Sequence, residues 1–238
     1  MASSDTTPAS SSDIAATIHR GCATTVGDGS LSNDEHVLAP IDVTAVAHGR
    51  LRLLLLSGSL RSDSSNARAL ELAARLSAHH FSATAYTGLA RLPAFNPDVE
   101  MLGETDPRFP AAVRALRTEV TRSDALLLST PEYAHGMPGS LKNALDWLVG
   151  GSGFPRLPVG VINVSPRSQF ATPQAIEVMR TMSAEIVEAA CVAADALRAD
   201  GPAAEQRWHE RLSRAMEALY EAAAQLRGIR AHWRAEPT

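Results

Sequence analysis

Three short stretches of the chain are apolar almost without interruption: Leu51–Ser57 (LRLLLLS), Ala125–Thr130 (ALLLST) and Pro158–Val164 (PVGVINV). Unbroken apolarity over six or seven residues, in place of strict alternation, is the pattern of strands buried on both faces. Between them the spacing changes to that of helices. Ala67–Ser77 keeps Leu70, Ala73, Ala74 and Ser77 on one face, and Ala111–Arg122, Ser140–Val149, Thr172–Ser183 and Ala203–Arg227 also read as helical. Ser82–Tyr86 reads as a weaker strand, the Pro-containing 93–110 as a loop, and a short strand falls within 185–195. Strands alternating with helices predict an α/β domain with a five-stranded parallel sheet and helices on both faces. In the terminal helix Trp208, Leu212, Ala215, Leu219, Ala222 and Leu226 form the expected core stripe, and the charges around them a solvated face.

Composition divides the 238 residues in two. Residues 1–49 hold 13 Ser or Thr, six acids and one base, little apolar periodicity, and a net charge of −5. Such a segment buries too little surface to offset its ordering entropy, so 1–49 reads as a disordered extension and 50–238 as the folded domain. The domain itself carries +1. A nearly neutral body lacks the cation surplus that nucleic-acid binding requires. Two cysteines, Cys22 and Cys191, make no disulfide framework or zinc spacing, and Cys191 reads as a small core residue. No segment approaches the length of a membrane span and no signal peptide is evident, so a soluble cytoplasmic protein is expected.

Parallel sheets bind ligands beyond the carboxyl ends of their strands, which directs attention to the three loops after the apolar runs. The first reads Ser57-Gly58-Ser59-Leu60-Arg61-Ser62-Asp63-Ser64-Ser65-Asn66 and leads into a helix. Small residues, hydroxyls, one guanidinium and a helix start are what a phosphate group needs, although a Ser-rich turn with an ordinary N-cap at Ser64 or Ser65 has the same composition. There is no G-x-G-x-x-G in this loop, no Walker A lysine (the chain's one lysine, Lys142, precedes Asn143) and no G-x-S-x-G. A phosphate site without those loops suggests a mononucleotide such as FMN.

The second loop and the following helix read Pro131-Glu132-Tyr133-Ala134-His135-Gly136-Met137-Pro138-Gly139-Ser140-Leu141-Lys142-Asn143-Ala144-Leu145-Asp146-Trp147. Its prolines and glycines fix a specially shaped loop, with Gly136 expected to allow close approach of a planar ligand. Together with Gly58-Ser59-Leu60-Arg61-x-x-Ser64-x-Asn66, this segment resembles the NADPH-dependent FMN reductase family of flavodoxin-like flavin, quinone, azo-dye and chromate reductases. The resemblance spans 51–165 and implies a flavodoxin-like three-layer sandwich and a homodimer or homotetramer. It implies FMN bound through Ser57, Ser59, Arg61, Ser64 and Asn66 at the phosphate, and Pro131, Glu132, Tyr133, Ala134, His135 and Gly136 along the flavin ring. The third loop would close the other edge from Ser165, and NADPH or NADH would be the co-substrate. Two departures stand out: Ala134-His135 where many members have Asn, and a third loop, Ser165-Pro166-Arg167-Ser168-Gln169-Phe170, bulkier than the glycine-rich family form.

Lys142 and Asp146 stand four apart on the polar side of their helix. That is either a solvated pair, in the less favourable order for intrahelical pairing, or, as the family implies, part of an oligomer interface. His135, in the second loop, is exposed or approaches the ligand; His79-His80 match no ligand spacing and read as a surface turn. The function expected is reduction of a quinone, flavin or similar small acceptor by NAD(P)H through bound FMN. A non-enzymatic flavodoxin-type electron carrier is the alternative, disfavoured by the neutral body, and a catalytically silent scaffold is another.

Overall fold

Strand β1 (Leu51–Ser57) forms the centre of the fold because its side chains satisfy two layers at once. Leu51, Leu53 and Leu55 enter one apolar cluster, and Leu54 and Leu56 the other. The computed structural model describes residues 49–193 and 202–235, with side chains through Arg230. The segment read as a disordered extension therefore lies, but for Gly49, outside the described residues.

The remaining strands are β2 (Phe81–Tyr86), β3 (Ala125–Ser129), β4 (Pro158–Asn163) and β5 (Glu185–Ala193). They pair in the order β2-β1-β3-β4-β5, all parallel. This is the doubly wound order in which the winding reverses between β1 and β3. Helices α1 (Ser65–Leu76) and α6 (Pro202–Ala235) cover one face. On the other lie α3 (Ala111–Arg122), α4 (Gly139–Val149) and α5 (Ala171–Thr181). Leu53–Leu56 and Leu126–Leu128 are all within 2% of complete burial. Each such leucine contributes about 2 kcal/mol from removal of its side chain from water.

Four departures from the sequence expectation have local causes. The 93–110 segment contains one helical turn, α2 (Pro97–Glu100), because Asn96 Oδ1 accepts from Asp98 N at 2.9 Å and Pro97 occupies the first helical position. β5 is nine residues long, with a register irregularity against β4 between Val159 and Val161. The stripe on α6 passes through Ala223, fully buried, while Ala222 is half-buried. That helix continues past Arg227 because Arg230, 2% exposed, reaches back to the carbonyls of Pro155 and Gly153, both at 2.9 Å.

Candidate functional site

At the carboxyl ends of β1, β3 and β4 the three loops enclose a cleft of about 620 Å³. It lies at the reversal point of the sheet, where diverging connections leave a crevice. The first loop contributes Ser65 and Asn66, the second Pro131, Glu132, Ala134 and His135, and the third Val164 to Ser168. Sequence reasoning brought together five of these: Asn66, Pro131, Glu132, Ala134, His135, with Ser165 as a sixth from the third loop. It missed Ser65, Val164, Pro166, Arg167 and Ser168. Ser65 was marked only as a possible N-cap, and the signal of the others was position alone: a hydroxyl- and Arg-bearing loop after a buried strand, in a sequence unlike the family form.

The ends of β1 and β3 approach so closely that a Cβ on Gly58 would lie 2.6 Å from Thr130 Oγ1. Only glycine fits there. From Gly58 the chain folds on its own hydroxyls: Ser59 N donates to Ser57 Oγ and Arg61 N to Ser59 Oγ, both at 3.3 Å. Ser57, Ser59 and Arg61 thus shape the loop beside the cleft, with Arg61 exposed, and are not on the cleft wall. Ser64 is buried as the N-cap of α1, its Oγ accepting from Ala67 N. This leaves the first N–H groups of α1, beside Ser65 and Asn66, at the cleft. Asn66 is itself held: the buried Ser129 hydroxyl sits 2.8 Å from Asn66 Oδ1 and 2.7 Å from Ile162 O, linking α1 to β3 and β4.

The second loop is a two-residue hairpin. Tyr133 and Gly136 exchange backbone hydrogen bonds of 3.0 Å in both directions, and Ala134 (φ 48°) and His135 (φ 58°) fill the turn. Two successive left-handed residues define a type I′ turn, which favours Asn and Gly. The positive φ expected of a glycine therefore falls on Ala134 and His135, and Gly136 supplies the closing bridge instead. Left-handed backbone costs a non-glycine residue about 1–2 kcal/mol, so the surroundings must hold the turn. They do so in three ways. Met137 N donates to Gln174 Oε1 at 2.8 Å. His135 stacks on Phe170 with ring centroids 4.7 Å apart and planes at 26°. Glu132 reaches across to the third loop.

That carboxylate is the clamp of the site. Glu132 Oε2 accepts from Phe170 N at 2.6 Å, Ala171 N at 2.9 Å and Ser168 Oγ at 3.3 Å. It caps the start of α5, whose N-terminal neighbour Phe170 offers no side-chain cap. The hydrogen bonds from the Ala171 and Phe170 backbone hold its carboxyl below the usual range, aided by Ser168 and by nearby His135. The third loop is braced from its other end by Asn163, whose Nδ2 donates to Ser168 O at 2.9 Å and whose Oδ1 accepts from Ser165 N at 3.0 Å.

The donor set suits a phosphorylated planar ligand. Helix N–H groups, Ser65, Asn66, Ser165 and Arg167 surround the cleft, and the one carboxylate in its wall is bound to α5. One exposed large apolar side chain comes from each loop: Leu60, Tyr133 and Phe170, 57%, 51% and 49% accessible. Lys142 and Asp146 lie away from the cleft, paired with each other at 2.5 Å on the exposed side of α4.

A model of the NADPH-dependent FMN reductases matches residues 51–198. Among curated proteins the chain is 42% identical over 97 residues to an NAD(P)H-dependent FMN reductase of Pseudomonas aeruginosa, covering 41% of this chain and 49% of that one. It is 33% identical over 99 residues to a quinone reductase of Escherichia coli, covering 42% and 50%. The matched part thus spans about half the length of these relatives. Among solved structures the flavoenzyme NAD(P)H:(acceptor) oxidoreductase FerB of Paracoccus denitrificans superposes with a TM-score of 0.61 at 24% identity, over 74% of this chain and 98% of that one. That likeness is one of fold.

Proposed function

The chain belongs to the NADPH-dependent FMN reductase family, and from that membership we propose that it is an FMN-dependent oxidoreductase using NADPH or NADH to reduce a quinone, a flavin or a similar small acceptor. The observation that carries this reading is the cleft itself, where three loops at the β1/β3 reversal bring anion-binding donors together around about 620 Å³. FMN, when bound, supplies hydride chemistry between a nicotinamide and a second substrate, so the protein's work is to bind, orient and shield.

The residues divide that work by chemistry. The start of α1 with Ser65 and Asn66 suits the phosphate, since free N–H groups and the positive end of the helix dipole favour an anion. Ser59, Arg61 and Ser64 act there by shaping the loop, with Arg61 adding charge at its exterior. Pro131 to Gly136 present backbone groups to the ring edge, and Ser165 to Ser168 border its other side. Leu60, Tyr133 and Phe170 offer apolar surface at the rim for a planar acceptor or nicotinamide.

We further assign the protein a cytoplasmic location and a homodimeric or homotetrameric state in which Lys142 and Asp146 face a partner. Among the described residues, no helix is long and apolar enough to cross a membrane. The activity and the interface are tested on the full chain. The purified protein takes up FMN stoichiometrically, seen as flavin absorbance, and then consumes NADPH or NADH in the presence of menadione. Colourless protein that takes up no FMN on titration would falsify the reading. FMN uptake without steady-state turnover would identify an electron carrier. Light scattering of Lys142→Ala/Asp146→Ala against the parent tests the interface, and an unchanged oligomer mass removes it.

A further inference from the structure

At the amino ends of the strands, opposite the cleft, the turn between α1 and β2 carries His79 and His80, and α6 lays Glu217 beside them. His80 Nε2 lies 2.7 Å from Glu217 Oε2. The His80 ring is stacked on Tyr220 (centroids 3.9 Å, planes 18°) and flanked by His79 (3.9 Å, 43°). Tyr220 in turn meets buried Phe81 edge-on at 5.9 Å. One nitrogen of each histidine and one oxygen of Glu217 all lie within 4.8 Å of one another.

We propose that His79, His80 and Glu217 form a binding site for a borderline divalent cation of the Zn²⁺ class, which fastens α6 to the α1–β2 turn. Two imidazoles and a carboxylate are a donor set for Zn²⁺, Co²⁺, Ni²⁺ and Cu²⁺, whereas Mg²⁺ and Ca²⁺ require mostly oxygen. A tetrahedral ion with bonds of about 2.0–2.1 Å spaces its donors roughly 3.4 Å apart, between the 2.7 Å contact and the 4.8 Å outer limit. The adjustment falls on movable groups. His79 is exposed and the Glu217 side chain is 52% accessible, while the stack on Tyr220 fixes His80, 20% accessible.

Uptake balances without another reactant. A neutral imidazole offers one bare ring nitrogen, so the tautomer that binds presents that nitrogen to the ion and keeps its proton on the other. Water completes the coordination. His80 and Glu217 are 137 positions apart, so the ion closes most of the domain into a loop. Ion binding to the folded chain alone then stabilises it by mass action.

The test uses the untagged full chain, stripped with a chelator and titrated with Zn²⁺ by calorimetry and with Co²⁺ by visible absorbance. One ion binds per chain with micromolar affinity, and Tm rises by roughly 5 °C at a hundredfold excess over the dissociation constant. His79→Ala and Glu217→Gln each weaken Zn²⁺ binding at least about tenfold, His209→Ala on the same helix leaves it unchanged, and Mg²⁺ produces no shift. Because His79 is exposed and Glu217→Gln preserves shape, circular dichroism of both variants matches the parent. The absence of saturable 1:1 binding overturns the proposal, as does an affinity within twofold of the parent in both variants.

Discussion

Two loop regions at the carboxyl end of the sheet are held in opposite ways. The connection after β2 is held from inside by a buried cation and aromatic rings. Arg117, 4% exposed, pairs with Glu100 at 2.7 Å and Glu104 at 3.1 Å, and donates to Trp147 O through Nε at 2.9 Å. Its guanidinium lies 5.2 Å from the Phe109 ring centroid, and Trp147 Nε1 donates to Pro93 O at 2.8 Å. Phe109, Val113 and Trp147 give this region an apolar cluster of its own. The second and third loops have almost no such interior. They are fixed by one carboxylate, Glu132, two amides, Gln174 and Asn163, and backbone hydrogen bonds, which leaves their polar groups around a cleft. The first arrangement makes a wall; the second keeps donors available for a ligand.

Removing the buried cation is the strongest way to break this contrast. Arg117→Ala leaves two carboxylates and a carbonyl without their partner, and should lower unfolding free energy by about 3 kcal/mol. The dissociation constant for FMN should stay within about twofold, read by urea unfolding and flavin titration. A tenfold loss of FMN affinity would mean that wall and cleft are one unit.

Glu132→Ala should do the reverse. Losing the clamp frees the third loop and weakens FMN binding about tenfold, with a smaller shift in urea midpoint than Arg117→Ala. Flavin titration showing parental affinity would remove Glu132 from the site's support.

The same carboxylate gives a pH signature. Its folded-state value is lowered, so its stabilising effect is complete above the ordinary Glu range near 4.3 and fades as pH falls through the lower folded value. The gap in urea midpoint between parent and Glu132→Gln should therefore be constant from about pH 7 to 5 and close progressively below about pH 4. A gap that widens on acidification contradicts the assignment.

The smallest effect sharpens the view of the hairpin. Ala134→Gly relieves a left-handed alanine and should raise stability by about 0.5–1 kcal/mol once glycine's greater unfolded freedom is subtracted. FMN affinity should not change. Destabilisation would show that Ala134 gains more from its methyl contacts than its backbone loses.

Much of the architecture was legible from residue types. The leucine-rich runs specified β1 and β3 because a strand apolar on both sides has no solvent face to offer. Gly58 and the hydroxyls after it marked a loop at the carboxyl end of the first strand, and the long 131–147 segment identified the family. Loop geometry was less accessible. Nothing about Ala134-His135 signals a type I′ turn, since neither residue favours it and the bridge between Tyr133 and Gly136 imposes it. Glu132 reads as a polar residue in a motif, but its role depends on the start of α5, more than thirty positions away.

Sequence by itself determined the layer structure and the loops that follow the buried strands, because these follow from local periodicity and short-range turn chemistry. Only the tertiary structure decided which side chains face the cleft, that the Glu132 carboxylate in its wall caps α5, and that His79 and His80 acquire Glu217 as a neighbour. Each of those depends on contacts between residues distant in the chain, and hydrogen bonds of 2.6 to 2.9 Å are set by packing that no window of sequence contains.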